Sequence, residues 1–326
     1  MNDRRDFLLA LAGVLVVPRF ALAQQAERIY RLGWLSTIPS RGEPYNIAFV
    51  QRLRDLGFTE GRNLVIEYRE AKGHIEKLPE LAADLARQNC DVFLAPGNEA
   101  TLVAIKQASR DTPIVMLAND YDPVARGHVA SLAHPGGRIT GVSQLQTELP
   151  VKRLELLKEL LPGATRIAVL SDTSSAGQLR AVQAGAEQLG VTLRVLEFKR
   201  LPYNYESAFD EAVHAKAEAL LVLGSASFVP ARRQLPELAL KHRLPSIFVQ
   251  SLWAEAGGLL SYGPNFPEFY RRAAEQVSMI LKGGKPAEIP VEQPTRFELI
   301  INMKTAKALG IKIPNSLLLR ADRVIE

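Results

Sequence analysis

The feature that most constrains the fold is a regular alternation of short apolar runs with amphipathic stretches, which begins at Arg31. The apolar runs are continuous, as is typical of strands that are buried on both faces of a parallel sheet. Between them apolar residues recur at helical spacing, as at Ile47, Val50 and Leu53. Gly57 then stands where a helix would end. Repeated strand–helix units of this kind predict an α/β fold built from doubly wound parallel sheets.

The alternation predicts individual elements. We predict strands at 31–36, 64–69, 91–95, 113–118, 139–143, 166–171, 192–198, 219–223, 246–249, 259–264 and 297–301. We predict helices at 46–56, 75–88, 98–109, 151–161, 175–189, 205–215, 230–242 and 267–281. Loop 133–138 contains Pro135-Gly136-Gly137, a strong break. We therefore expect 139–143 to begin a second sheet of about the same size as the first.

Residues 1–23 have the pattern of a secretory signal peptide. Arg4 and Arg5 precede a short apolar run, and Ala21-Leu22-Ala23 supplies the small residues of a cleavage site. The apolar run of about eleven residues is too short to cross a bilayer core of roughly 30 Å as a helix. The arginine pair is similar to a twin-arginine signal, although the general export route stays open. We expect the signal peptide to be cleaved and the protein to be located in the periplasm.

Composition and motifs argue against several functional classes. The net charge of +5 is spread along the chain, without the basic and aromatic clusters that bind nucleic acid. The single cysteine, Cys90, cannot form an internal disulfide. The five histidines are scattered, without the spacing of a metal site. The segment 282–286 has proline where a phosphate-binding loop needs serine or threonine. We expect no enzyme, no metal and no cofactor.

Several segments together are similar to a known family. They are 48–69, Asp122-Pro123-Val124, 131–137, 139–143, 152–162, 256–264 and 290–310. In this order they resemble the substrate-binding proteins of ABC transporters that have a type I periplasmic-binding-protein fold. Within that family they are similar to the group that includes tryptophan- and tyrosine-linked importers. The resemblance covers nearly all of the chain after the signal.

The resemblance implies two lobes joined by a hinge, with chain crossings near Gly136 and Tyr262. Lobe 1 would comprise 24–137 and 263–290, and lobe 2 would comprise 138–262 and 291–326. It also implies a monomer that binds a small molecule between the lobes and delivers it to a membrane permease and ATPase. An amino acid or another small carboxylate, with an aromatic group favoured, is the expected ligand. The alternative is an extracytoplasmic sensory protein that presents its ligand to a membrane receptor.

Candidate binding residues follow from the fold, because ligands of open α/β sheets bind at the carboxyl ends of strands. In lobe 1 the candidates are Ser36, Thr37, Gly97, Asn98, Glu99, Asn119 and Asp120. In lobe 2 they are Asp172, Ser174, Ser175, Ser225, Ser227, Gln250 and Trp253, with Tyr262 near the hinge.

Some of these candidates have a second interpretation that the sequence leaves open. Asn98, Ser174 and Ser175 precede helices and suit the N-cap position. Glu99 lies in a first helical turn, where a carboxylate is stabilised by the helix dipole, but it could also pair with an ammonium group of the ligand. Trp253 could stack on an aromatic ligand or pack beneath the turn that follows it.

Cleavage after Ala23 would remove 23 of the 326 residues and leave 303. We expect N-terminal sequencing or intact mass measurement of the exported protein to place its first residue at Gln24. Recovery of the exported protein with residues 1–23 still attached would contradict this prediction and favour a membrane anchor.

Overall fold

The computed structural model describes residues 28–38, 41–119, 121–144 and 148–326. The predicted signal peptide and the candidate residue Asp120 therefore lie outside the described residues.

The strands are β1 (Tyr30–Ser36), β2 (Leu64–Glu70), β3 (Val92–Gly97), β4 (Ile114–Ala118), β5 (Ile139–Ser143), β6 (Arg166–Asp172), β7 (Thr192–Phe198), β8 (Ala219–Val222), β9 (Ser246–Phe248), β10 (Leu260–Pro264), β11 (Phe297–Asn302) and β12 (Arg323–Ile325).

The helices are α1 (Pro44–Asp55), α2 (Leu78–Ala86), α3 (Glu99–Ala108), α4 (Leu149–Leu160), α5 (Ala176–Gln188), α6 (Tyr205–His214), α7 (Gln234–Lys241), α8 (Ser251–Glu255), α9 (Phe266–Leu281), α10 (Met303–Leu309) and α11 (Asn315–Arg320). Short 3₁₀ segments span Ile75–Lys77, Thr173–Ser175, Ala226–Ala231 and Pro286–Glu288. Every predicted strand and helix overlaps an observed element.

The strands form two sheets. The first has five strands in the order β2-β1-β3-β4-β5, and all of its pairs are parallel. The second has seven strands in the order β12-β11-β10-β9-β8-β6-β7, and among its pairs only β10 and β11 run antiparallel. The predicted α/β fold with two parallel-dominated sheets is confirmed.

Helices cover both faces of each sheet. On the first sheet, α1 and α9 pack together on one face, while α2 and α3 cover the other. On the second sheet, α4, α5, α10 and α11 cover one face, and α6, α7 and α8 cover the other. We call the first sheet with its helices lobe 1 and the second sheet with its helices lobe 2. The continuous apolar strands are explained, because each sheet is buried on both faces.

The expectation that 139–143 begins the second sheet is wrong. This segment is β5, which pairs in parallel with β4 from Ile114 opposite Ile139 to Ala118 opposite Ser143. The predicted boundary at 137/138 therefore separates β5 from the sheet to which it belongs. The glycine-rich loop before β5 is a turn within lobe 1, and the chain crosses to lobe 2 only after β5.

The chain passes between the lobes twice more. It returns to lobe 1 after β10, because α9 packs on α1. Before its last passage it runs beside β5, where the Ser143 amide donates to the Glu292 carbonyl at 2.8 Å and the Glu292 amide donates to the Gly141 carbonyl at 3.0 Å. Three chain segments thus connect the lobes, and those at β5 and Glu292 lie side by side, as in a hinge.

Three shorter features complete the fold. The sequence patterns did not predict α8, α11 or β12, which are too short to show a period.

Cys90 is buried, and burial raises the pKa of its thiol to about 12. Within the ranges described above, no helix is long and apolar enough to span a membrane.

Gly141 permits the close approach of β5 to β4. Its φ is 145°, and a Cβ at this position would lie 2.0 Å from the Met116 carbonyl oxygen. We expect Gly141→Ala to lower the free energy of unfolding by roughly 2–4 kcal/mol, because it combines backbone strain with overpacking. Denaturant unfolding followed by circular dichroism measures this change.

Gly137→Ala is the matched control, because a Cβ at Gly137 has no neighbouring atom within 4 Å. We expect it to change the free energy of unfolding by less than about 1 kcal/mol. Equal effects of the two substitutions would show that the close approach at Gly141 does not limit stability.

Candidate functional site

A cavity of about 510 Å³ lies between the lobes, where the carboxyl ends of strands from both sheets face each other. Lobe 1 contributes residues that follow β1, β2, β3 and β4, and lobe 2 contributes residues that follow β6, β7, β8 and β9. Pockets for small molecules typically have volumes of about 300–1,000 Å³. The cavity therefore has the size and the position of a small-molecule site in an α/β protein.

Most of the predicted site residues meet at this cavity. Those that line it are Ser36, Thr37, Gly97, Asn98, Asn119, Asp172, Ser174, Ser225, Ser227, Gln250 and Trp253. Glu99, Ser175 and Tyr262 do not line it.

Glu99 lies in the first turn of α3 but interacts within lobe 1. One of its carboxylate oxygens lies 2.8 Å from Nε2 of the buried His128, and the other lies 3.6 Å from Nε of Arg126. These partners hold the carboxylate away from the cavity. The suggested pairing of Glu99 with a ligand ammonium group is therefore not supported by the geometry.

Ser175 and Tyr262 also have structural partners. The Ser175 hydroxyl is buried, accepts a hydrogen bond from the Asp172 amide at 2.9 Å and lies 2.9 Å from the Asp172 carbonyl. The Tyr262 carbonyl accepts from Nε of the buried Arg153 at 2.7 Å, and its ring stacks on Phe297. Both residues therefore interact within the protein and lie outside the cavity lining.

The expected N-cap roles are only partly correct. Asn98 occupies the N-cap position of α3, but its side chain makes no capping hydrogen bond. In lobe 2 the capping side chain is that of Asp172, which accepts from the Ser174 and Ser175 amides. Gly97 has a φ of 100°, a conformation that favours glycine, so the turn alone accounts for glycine at this position.

Sequence reasoning missed two further groups of lining residues. The first follows β2 and β7 and comprises Gly73, His74, Ile75, Glu76, Lys199, Arg200, Leu201 and Tyr203. The rule of strand carboxyl ends could have found these residues. The second group is aromatic and comprises Tyr45, Phe266 and Tyr270, which lie on α1 and α9. Only the packing of α9 back onto lobe 1 brings Phe266 and Tyr270 beside Tyr45 at the cavity.

The aromatic residues form an apolar part of the cavity wall. The Tyr45 ring lies 4.8 Å from that of Tyr270 and 6.0 Å from that of Phe266, measured between centroids. Burial raises the pKa of both Tyr45 and Tyr270, so these phenols are neutral at physiological pH. Trp253 lines the cavity, and its ring stacks on that of Phe248 with 5.1 Å between centroids, so the ring packs in the lobe 2 core beside the cavity.

The polar part of the wall in lobe 2 is organised by Asp172, whose side chain is buried. One carboxylate oxygen, Oδ1, accepts from the Ser174 hydroxyl at 2.7 Å and from the Ser174 and Ser175 amides at 3.1 and 3.2 Å. The other, Oδ2, accepts from the Ser225 hydroxyl at 2.5 Å and from the Tyr203 hydroxyl at 3.3 Å. Asp172 thereby joins the loops that follow β6, β7 and β8.

In lobe 1 the wall contains an acceptor without a partner. Among the described residues, Asn119 Oδ1 is buried and makes no hydrogen bond. Because a buried polar atom without a partner is unfavourable, a ligand that donates to Asn119 would stabilise the site. Within the same described part of the chain, no group of acidic, histidine or cysteine residues could hold a metal ion.

The family model described as ABC transporter substrate binding protein matches residues 45–325. The chain belongs to the ABC transporter substrate-binding protein family. The resemblance noted in the sequence is thereby confirmed.

Individual relatives agree with this assignment. A tyrosine-binding protein of Clostridioides difficile (strain R20291) is 27% identical over 268 residues, which cover 81% of this chain and 76% of that protein. A protein of Streptococcus pneumonia solved in complex with L-Trp is 24% identical, with a TM-score of 0.78 over 91% of this chain and all of that chain. A conserved domain protein of Vibrio cholerae is 24% identical, with a TM-score of 0.81 over the same shares. The two solved structures share the fold of this substrate-binding protein.

In this substrate-binding protein the lobes also touch beside the cavity. Nη1 of Arg232 in lobe 2 donates to Oε2 of Glu43, which precedes α1 in lobe 1, at 2.5 Å. Leu201 Cδ1 approaches to 3.2 Å from the position that a Cβ of Gly73 would take. The Arg232–Glu43 ion pair exists only when the lobes are close, so it favours the closed arrangement.

We expect Arg232→Met to shift the lobes towards an open arrangement, because it removes this ion pair, which is worth about 1 kcal/mol. Small-angle X-ray scattering should then give a larger radius of gyration for the variant than for the wild type. Raising the salt concentration to about 1 M should move the wild type towards the variant, because salt screens the pair.

Arg233→Met serves as the control, since the exposed Arg233 makes no ion pair among the described residues. It should leave the scattering curve unchanged. Identical curves for wild type and Arg232→Met at low salt would show that the ion pair does not contribute to closure.

Proposed function

We propose that this protein binds an amino acid or another small carboxylate, with an aromatic side chain, in the cavity between its lobes, and delivers it to an ABC permease and ATPase. The observation that carries the proposal is the cavity itself, with a volume of about 510 Å³ and walls from both lobes. A ligand held between two lobes stabilises their closed arrangement, which is the form that a membrane partner can distinguish from the empty protein.

The walls suit a zwitterion with an aromatic side chain. Tyr45, Phe266 and Tyr270 offer apolar ring surface. The N-terminus of α3 begins beside the cavity-lining Asn98, which leaves its first-turn amides without a side-chain cap. Amides at a helix N-terminus stabilise a carboxylate. The names of two relatives, the tyrosine-binding protein and the protein in complex with L-Trp, support the same ligand class.

We further propose that the protein works in the periplasm as a monomer after cleavage of its signal peptide. The charged start, short apolar run and small-residue end of 1–23 support export. We propose binding without turnover, because the relatives named above are described by what they bind. The family assignment favours a transport receptor over the sensory alternative.

Thermal denaturation of the mature protein tests the ligand class. We expect L-tyrosine, L-tryptophan or L-phenylalanine to raise the melting temperature, whereas sugars and purines leave it unchanged. At a ligand concentration of about 100 times the dissociation constant, the stabilisation is about 2.7 kcal/mol, which is several degrees for a protein of this size. A shift with sugars alone would contradict the proposal.

Ala226→Trp tests whether binding occurs in this cavity, because Ala226 lines it. The indole would occupy the ligand's volume, so the ligand-dependent shift should disappear. Ala184→Trp is the matched control, since Ala184 is exposed on α5 away from the cavity. Retention of the full ligand-dependent shift in Ala226→Trp would place the binding site elsewhere.

A further inference from the structure

Asp172 carries a buried negative charge at the cavity without a cation beside it. Its side chain is buried, and among the described residues no lysine, arginine or histidine forms an ion pair with it. Two basic residues that follow β7 line the cavity, Lys199 and Arg200, and both are exposed. Nζ of Lys199 lies 3.9 Å from a carboxylate oxygen of Glu197 and forms no ion pair with Asp172. A buried carboxylate with hydrogen bonds but no counter-charge is a strong attractor for a cation.

The hydroxyl groups around Asp172 donate their hydrogens to its carboxylate. A hydroxyl has one hydrogen to donate and two lone pairs that accept. Ser174 lies 2.7 Å from Oδ1 of Asp172, Ser225 lies 2.5 Å from Oδ2, and Tyr203 lies 3.3 Å from Oδ2. An ionised carboxylate can only accept, so each of these hydroxyls donates its hydrogen to Asp172. The Ser174 hydroxyl also lies 3.2 Å from Oγ of Ser225, but Oδ1 of Asp172 is the closer acceptor.

These hydroxyls therefore present oxygen lone pairs, which are hydrogen-bond acceptors, to the cavity. Ser174, Ser225 and Tyr203 all line the cavity and are less buried than Asp172. One lone pair of Ser225 is used by the Ser227 amide at 3.1 Å, and the hydroxyl oxygens of Ser174 and Ser225 lie 3.2 Å apart, close enough for one donor to contact both. With their hydrogens donated to Asp172, these three hydroxyls present acceptors and no donors to a ligand.

We propose that this wall binds the ammonium group of the ligand through the hydroxyl oxygens of Ser174, Ser225 and Tyr203, with the Asp172 charge behind them. Asp172 is then a positioning residue, which fixes the direction of three hydroxyls and supplies the negative field. The proposal rests on the proposed function and deepens it. It assigns the ammonium end of the ligand to lobe 2 and makes a positively charged donor a requirement for tight binding.

Paired ligands test this requirement by isothermal titration calorimetry on the mature protein. The pairs are L-tyrosine with 3-(4-hydroxyphenyl)propanoate and L-tryptophan with indole-3-propanoate, which differ only by the ammonium group. We expect the amino acid of the preferred pair to bind about 30-fold or more tightly than its partner, because a site built for a donor rejects the analogue that lacks it.

Asp172→Asn distinguishes a positioning role of Asp172 from a merely structural one, because only the positioning role predicts different effects on the affinities for the amino acid and for its analogue without ammonium. The new amide group would donate to Ser225 and Tyr203, so their hydroxyls would turn their hydrogens towards the cavity. We expect the affinity for the amino acid to fall by about 10- to 100-fold, while that for the analogue without ammonium stays equal or rises. The ratio between the two affinities should therefore approach one.

Two further variants keep the test decisive. Ser225→Ala removes one of the acceptors but keeps the carboxylate, and it should reduce the same ratio by about 5- to 10-fold even if Asp172→Asn fails to fold. Asp210→Asn removes one negative charge from the exposed face of α6 and should leave the ratio unchanged.

The outcomes separate this inference from the proposed function. If the wild type binds an analogue without ammonium as tightly as the amino acid, the inference is wrong and carboxylate binding stands. An equal loss of affinity for both ligands in Asp172→Asn and Ser225→Ala would also overturn the inference. If no compound of either series binds, the proposed function fails and the inference fails with it.

Discussion

Parallel pairing of strands governs the arrangement of both lobes and of the cavity between them. In a parallel sheet all carboxyl ends lie at one edge, and helices must cover both faces because each return connection passes over a face. Two such sheets, joined at β5, β10 and the segment near Glu292, place their carboxyl edges on opposite sides of one cavity. The loops that follow the strands can then change without disturbing the cores, and they carry the chemistry of the site.

Within that frame the two lobes have different roles. Lobe 1 provides the aromatic surface, because α9 returns to it and brings Phe266 and Tyr270 beside Tyr45. Lobe 2 provides the acceptor surface, because Asp172 draws the hydroxyls of separate loops towards a single buried carboxylate. A ligand with an apolar part and a charged donor contacts both lobes at once. In the proposed function, binding would therefore be coupled to closure, to which the Glu43–Arg232 pair would also contribute.

Prediction from sequence worked where the signal was periodic and failed where it depended on contacts distant in sequence. The long strands and helices were found, because burial on two faces and amphipathic packing leave clear patterns. The assignment of β5 failed, because the Pro135-Gly136-Gly137 break shows where an element ends and not which sheet the next strand joins. Eleven of the fifteen candidate site residues line the cavity, because the strand-end rule is topological. Glu99 does not, since His128 and Arg126, which hold its carboxylate, are recognisable only in the folded chain.

The α/β class, the order of the elements and the family can be predicted from the sequence, because these depend on local periodicity and on motifs that are continuous in the chain. The tertiary structure alone decided which sheet receives β5, which aromatic rings reach the cavity, and that Asp172 directs three hydroxyls instead of presenting its own carboxylate. The physical reason is that hydrogen-bond direction and burial depend on neighbours from other loops. A sequence gives the types of these groups, whereas only the fold gives their partners.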